Sequence, residues 1–192
     1  MAAGPATQED TRTRLLATAL RLFTEHGVEG TSLQMIADAL GVTKAAVYYH
    51  FKTKDEIVEA VAEPGLRELG QVIDEASRLR RRGARIDHLL TGFVDTVVRH
   101  RALVALFSSD PGIARALART WTSPEENFSV RILGILVGEE SDLNRMVAAH
   151  VAVAGIALAG GSPQFAGVDD DTLREQLLDV GRRLLGRPRR VS

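Results

Sequence analysis

Apolar residues recur at helical spacing along nearly the whole chain. Leu15, Leu16, Ala19, Leu20 and Phe23 mark one face of a first helix. Asp10 or Thr11 stands where its cap belongs, and Gly27 where it should stop. After the connector "GVEG", Thr31 or Ser32 caps a short helix whose inward face is Leu33, Ile36, Ala37 and Leu40. Gly41 ends that helix, Val42 crosses a turn, and Thr43 caps a third helix running to Tyr49 or His50. Thr53 then caps a longer fourth helix with acids in its first turn, which Pro64-Gly65 is expected to kink or interrupt.

From about residue 84 the pattern is amphipathic helix again. Breaks fall near Asp110-Pro111, Ser123-Pro124, Gly138 and "GGSPQFAGVDDD". No segment sustains the period-two alternation of a strand. The pattern predicts an all-α protein with an N-terminal three-helix helix-turn-helix domain over 10–54 and a larger helical domain over 55–187. Flexible ends are expected at 1–9 and 188–192.

Composition narrows the function classes. The 192 residues are 45% hydrophobic and 26% charged, which suits a folded globular chain. With no cysteine, disulfides, thiolate metal sites and cysteine nucleophiles are excluded. No nucleophile–base arrangement, phosphate loop or metal motif stands out, so no enzyme, cofactor or metal is expected. Asp87, His88, Asp95 and His100 scatter around their helix instead of sharing one face. "MAAGPATQED" does not read as a secretion signal. The apolar stretch "MVAAHVAVAGIALAGG" is interrupted by His150 and reads as too short for a bilayer. A cytoplasmic protein with no membrane partner is expected.

The net charge of -1 neither requires nor forbids nucleic acid, so distribution decides. "GVTKAAVYYHFKTK" gathers lysines, tyrosines and a histidine with no acid among them. At about 100° per residue, Val47 and Phe51 face the supporting helices. Ala45 and Tyr49 then point outward, flanked by Ala46 and Tyr48, with Lys44 at the helix start. Small residues let a helix enter a groove, alanine methyls touch thymine methyls, and a lysine reaches guanine O6 and N7. Tyrosine hydroxyls, the Lys52 and Lys54 ammoniums and the Thr43 helix start suit phosphate oxygens. Ser32 and Gln34 reach phosphate or a base edge. The alternatives are that either tyrosine packs on the fourth helix, that the lysines are solvated, and that His50 only caps its helix.

"RLLATALRLFTEHGVEGTSLQMIADALGVTKAAVYYHFKTKDEIVEAV" resembles the DNA-binding domain of the tetracycline-repressor (TetR) family. The matching marks are "A..LF...G", "G...TS...IA..LGV" and "VYYHFKTKDEI". The resemblance implies a homodimeric, ligand-responsive transcriptional regulator that binds a palindromic operator in double-stranded DNA, most often as a repressor. It assigns base reading to Lys44 and phosphate binding to Tyr48, Lys54 and Ser32 or Thr31. Ala45 and Ala46 offer no hydrogen bond to a base, which puts weight on Lys44, Gln34, Tyr49 and groove shape.

One helix-turn-helix contacts few base pairs, and two-fold dimers double the contact. Ala148, Ala152, Gly155 and Ala159 recur at helical spacing and would let helices approach closely. "LREQLLDVGRRLL", with Leu177 and Leu184, is the expected partner helix, and the resemblance implies a four-helix bundle across the dimer. A packing role inside one subunit is the alternative. Phe93, Val97, Leu106, Phe107, Trp121, Phe128, Ile132 and His150 are the expected pocket lining, each also a reasonable core residue. The inward faces carry few charges, which favours a mostly apolar, neutral effector.

Overall fold

The computed structural model describes residues 8–109, 113, 127–138 and 142–186, and every regular element among them is a helix. The chain packs as two compact units, the first made of residues 1–64 together with 109–120 and the second of 65–108 together with 121–192. In the first, α1 (Gln8–Gly30), α2 (Leu33–Leu40), α3 (Lys44–His50) and the start of α4 (Lys54–Arg78) share a core. Leu15, Ala19, Phe23, Ile36, Ala37, Val47, Phe51 and Ile57 are buried there. α1 starts at Gln8, ahead of the expected caps Asp10 and Thr11, and breaks at Gly27, where φ is 73°. Only glycine enters that left-handed region cheaply.

Local chemistry sets the turn between α2 and α3. Ser32 accepts the Met35 amide at 3.1 Å and so caps α2. Thr31, the alternative cap, is buried instead, and its hydroxyl donates to the Gly27 and Leu22 carbonyls. At the other end Gly41 adopts φ 69°, its amide donates to Asp38, and the Val42 amide donates to Ala37. This paired closure satisfies carbonyls that a helix end leaves open. Thr43 accepts the Ala46 amide at 3.2 Å and starts α3.

α4 carries Pro64 inside one helix, so the expected interruption does not occur. The second unit continues with α5 (Arg82–Arg99), α6 (Arg101–Ser109), α7 (Phe128–Val137), α8 (Leu143–Gly160) and α9 (Asp170–Leu184). Its core joins Ile73 of α4, Leu89, Leu90, Phe93 and Val97 of α5, Ile132 of α7, Ile156 of α8 and Leu177 of α9. Ion pairs bind the periphery: Arg174 to Asp95, Arg131 to Asp74, and Arg101 to Asp170. By length and composition α8 is long and apolar enough to cross a membrane, contrary to the sequence expectation. It nevertheless packs on α5, α7 and α9.

Candidate nucleic-acid interface

The α3 helix has two unlike sides. Val47 is fully buried and Phe51, just past the helix, nearly so, which anchors it. Opposite them Lys44 and Ala45 are exposed, Tyr49 is 68% exposed and Tyr48 is 40% exposed, while Ala46 and His50 are half-buried. Leaving the Tyr49 ring largely in water forgoes burial that favours folding, while Tyr48 is more than half covered. Their hydroxyls, a small-residue patch and a cation therefore lie on one surface. The Lys44 ammonium sits over the Tyr48 ring at 5.6 Å, and the Tyr49 and His50 rings meet edge-on at 5.3 Å. These contacts pre-order side chains that would otherwise lose rotamer freedom on binding.

The flanking residues divide by partner. Ser32 is exposed while capping α2, and Thr43 is exposed while capping α3. Gln34 is exposed, but its amide donates to Asp38 at 2.7 Å, which fixes its direction. Lys52 donates from its ammonium to the Tyr48 carbonyl at 2.5 Å. Its backbone amide meets the Glu56 carboxylate at 2.7 Å, and Thr53 caps α4 by accepting the Glu56 amide. Lys54 points elsewhere. Its ammonium donates to the Val28 and Glu29 carbonyls at 2.8 and 3.3 Å, with the Glu29 carboxylate 3.6 Å away. It thus ties the start of α4 to the end of α1.

One cation escaped the sequence reading. Arg12, on the first turns of α1, is exposed and stacks its guanidinium 5.3 Å from the Phe51 ring centroid. A basic residue in the supporting helix was visible, but its place beside the end of α3 depends on tertiary packing.

Of the residues expected to line a pocket, Phe93, Val97 and Ile132 share one core with Phe128 packed against it. Phe93, Val97, Leu106 and Ile132 are buried, Phe107 and Phe128 are half-buried, and Trp121 lies outside the described residues. His150 is exposed on α8, with its ring Nδ1 2.7 Å from the Met146 carbonyl. Two recesses in the second unit lie elsewhere, and arginines line both. The expected dimer residues separate. Gly155 and Leu184 are exposed, Ala148 and Ala159 are half-buried, and Ala152 and Leu177 are buried inside the unit. His88, Asp95 and His100 each bind a different partner, namely Glu75, Arg174 and Glu68. Among the described residues no group of acids and histidines is arranged for a metal ion.

The family described as bacterial regulatory proteins of the tetR family matches residues 15–61, which hold the whole of α2 and α3. The HTH-type transcriptional regulator AcrR of Shigella flexneri is 42% identical over 64 residues, 33% of this chain and 30% of that protein. A probable acrEF/envCD operon repressor of Escherichia coli K12 is 44% identical over 63 residues, 32% of this chain and 29% of that protein. The chain therefore spans under a third of the curated relatives it matches there. A regulator of the TetR/AcrR family from Thermobifida fusca has 28% identity and a TM-score of 0.58, covering 94% of this chain and all of its own. SCO3833 of Streptomyces coelicolor shares the fold at TM-score 0.68 and 22% identity, over 99% of this chain and 96% of its own. These relatives are named as transcriptional regulators, not enzymes. The helix-turn-helix unit thus matches the tetR family of bacterial regulatory proteins over residues 15–61, and the all-helical architecture is similar to that of a solved TetR/AcrR-family regulator.

Proposed function

We propose that this chain is a sequence-specific DNA-binding transcriptional regulator, a repressor that grips a palindromic operator as a homodimer and is released by a small molecule. The observation that carries the reading is the two-sidedness of α3. Val47 is sealed in the core, while Lys44, Ala45, Tyr48 and Tyr49 stand together in solvent. A helix about 10–12 Å across suits a major groove about 12 Å wide. Lys44 reaches base edges from the helix start, Tyr49 lies beside it, and Tyr48, Ser32, Thr43 and Arg12 serve the phosphates. Lys54 contributes chiefly by holding α4 against α1.

Dimer formation is supported by an apolar band on the second unit. Leu143, Val147, Val151 and Leu158 of α8 are all at least half exposed, and Val180 and Leu184 of α9 add to it. Exposed Gly155 keeps the helix surface low between them, since a methyl there would meet nothing within 4 Å. A contiguous apolar surface of this kind marks an interaction site. The interface therefore uses the outward side of α8, Gly155 included, while Ala152 faces the core.

Lys44→Ala separates base reading from phosphate binding. In a selection from random DNA it should relax the sequence preferred, whereas Tyr48→Phe should weaken all sequences about equally. An unchanged preference in Lys44→Ala would remove Lys44 from readout. Loss of affinity with added salt should be steep for the wild type, because phosphate contacts release counterions.

A further inference from the structure

The chain as a whole carries a net charge of -1, yet five arginines and no acid fall between Arg78 and Arg85 around the turn from α4 to α5. Arg82 and Arg85 from this run meet Arg145 of α8 along a recess of about 620 Å³. Gly134, Ile135, Val137 and Gly138, at the end of α7, complete its described lining, which contains no carboxylate. Like charges brought together raise the local potential, and a bound anion relieves it.

Arg82 is held in place. Its Nη2 donates to the Leu136 and Val137 carbonyls at 2.9 and 3.0 Å, the open carbonyl end of α7. A guanidinium has five N–H donors, so Nε–H and the Nη1 pair remain, with no partner among the described residues. Gly138, at φ 75°, turns the chain directly under this group, and a methyl there would stand 3.4 Å from Arg82 Nε. Arg85 follows one turn later, half-buried, and makes no ion pair among the described residues. A methyl added at Gly134 would meet nothing within 4 Å, so the floor of the recess is open beside Ile135. A neighbouring recess of about 390 Å³ shares Arg82 and Arg145 but contains Asp142, whose carboxylate caps α8, and so suits an anion less.

We infer that the recess lined by Arg82, Arg85 and Arg145 is a binding site for a small organic acid, with a carboxylate or phosphate head on the Arg82 and Arg85 guanidiniums and a short apolar body against Ile135 and Val137. Planar guanidiniums match such heads with paired hydrogen bonds. The volume falls in the range of small-molecule sites, about 300–1,000 Å³. The site stands independently of the DNA reading and differs in charge from the neutral ligand expected from the inward helix faces.

The test is calorimetric titration of the full chain with octanoate, octyl phosphate and octanol. Saturable binding of one or both acids and none of the alcohol is expected, and whichever binds names the head group. Arg85→Gln should weaken that binding about 10–100-fold, the loss of a charge-assisted bond. Arg78→Gln, outside the recess, should leave it unchanged, and melting curves should show both variants folded. Three outcomes would overturn the site: no acid binding by the wild type, equal binding of octanol, or equal loss in Arg78→Gln and Arg85→Gln. The last would point to a general polyanion surface. DNA binding measured on the same samples reports separately on the N-terminal unit.

Discussion

Val151 tests the proposed dimer most sharply, because it is exposed in the single chain and central in the apolar band. It is 51% exposed, so closing a two-fold interface over it removes about half of its surface from water. Full burial of a valine is worth about 1.5–3 kcal/mol, so each copy gains about 1 kcal/mol. In Val151→Glu that gain is lost, and a carboxylate must be desolvated without a partner at about 1–3 kcal/mol more. A two-fold interface counts each substitution twice. The pair then loses about 4–8 kcal/mol, at least about a thousandfold in dimer affinity. Sedimentation equilibrium at micromolar concentration should show a dimer for the wild type and a monomer for Val151→Glu. Circular dichroism should remain that of a folded helical protein, since the side chain leaves no core contact behind. A variant that sediments as the wild-type dimer would refute the placement of the interface on this side of α8.

Other consequences follow from single contacts. Thr43→Ala removes the acceptor of the Ala46 amide and should cost about 1 kcal/mol of stability. Because α3 has only seven residues, Thr43→Ala should also weaken DNA binding on every sequence, which gel-shift titration would read. Gly161→Ala would bring a methyl within 2.5 Å of the Ala105 amide nitrogen, a backbone atom that cannot turn aside. A loss of about 1–3 kcal/mol is expected from overpacking, seen as a lower melting temperature with DNA contacts intact. Burial and then Arg99 lower the pKa of His100, outweighing the Glu68 carboxylate 3.0 Å from its ring. The unfolded chain therefore takes up the proton more readily. Stability should fall as pH drops below about 6.5, and His100→Asn should flatten that part of the melting-temperature profile.

The N-terminal unit was largely legible because its shape is set over short distances. Ser32, Gly41, Thr43 and Thr53 each act on a residue within five positions, and the side of α3 that Val47 buries follows from helical period alone. Lys54 was not legible, since its carbonyl partners lie 25 and 26 residues earlier. Period failed on α8 for a different reason. That helix is apolar on nearly every side, so spacing could not say which stripe faces inward. Ala152 faces the core and His150 faces out, the reverse of the expectation that gave one to the dimer and the other to a pocket. The arginine recess brings together residues more than fifty positions apart, and only the charge run at Arg78–Arg85 hinted at it.

Selection of bound DNA from a random pool by the full wild-type chain bears most directly on the central claim. A two-fold symmetric motif should emerge, with half-sites about one helical turn, roughly 34–36 Å, apart. Enrichment of no sequence, or of one unpaired half-site, would contradict a dimeric reader built on α3.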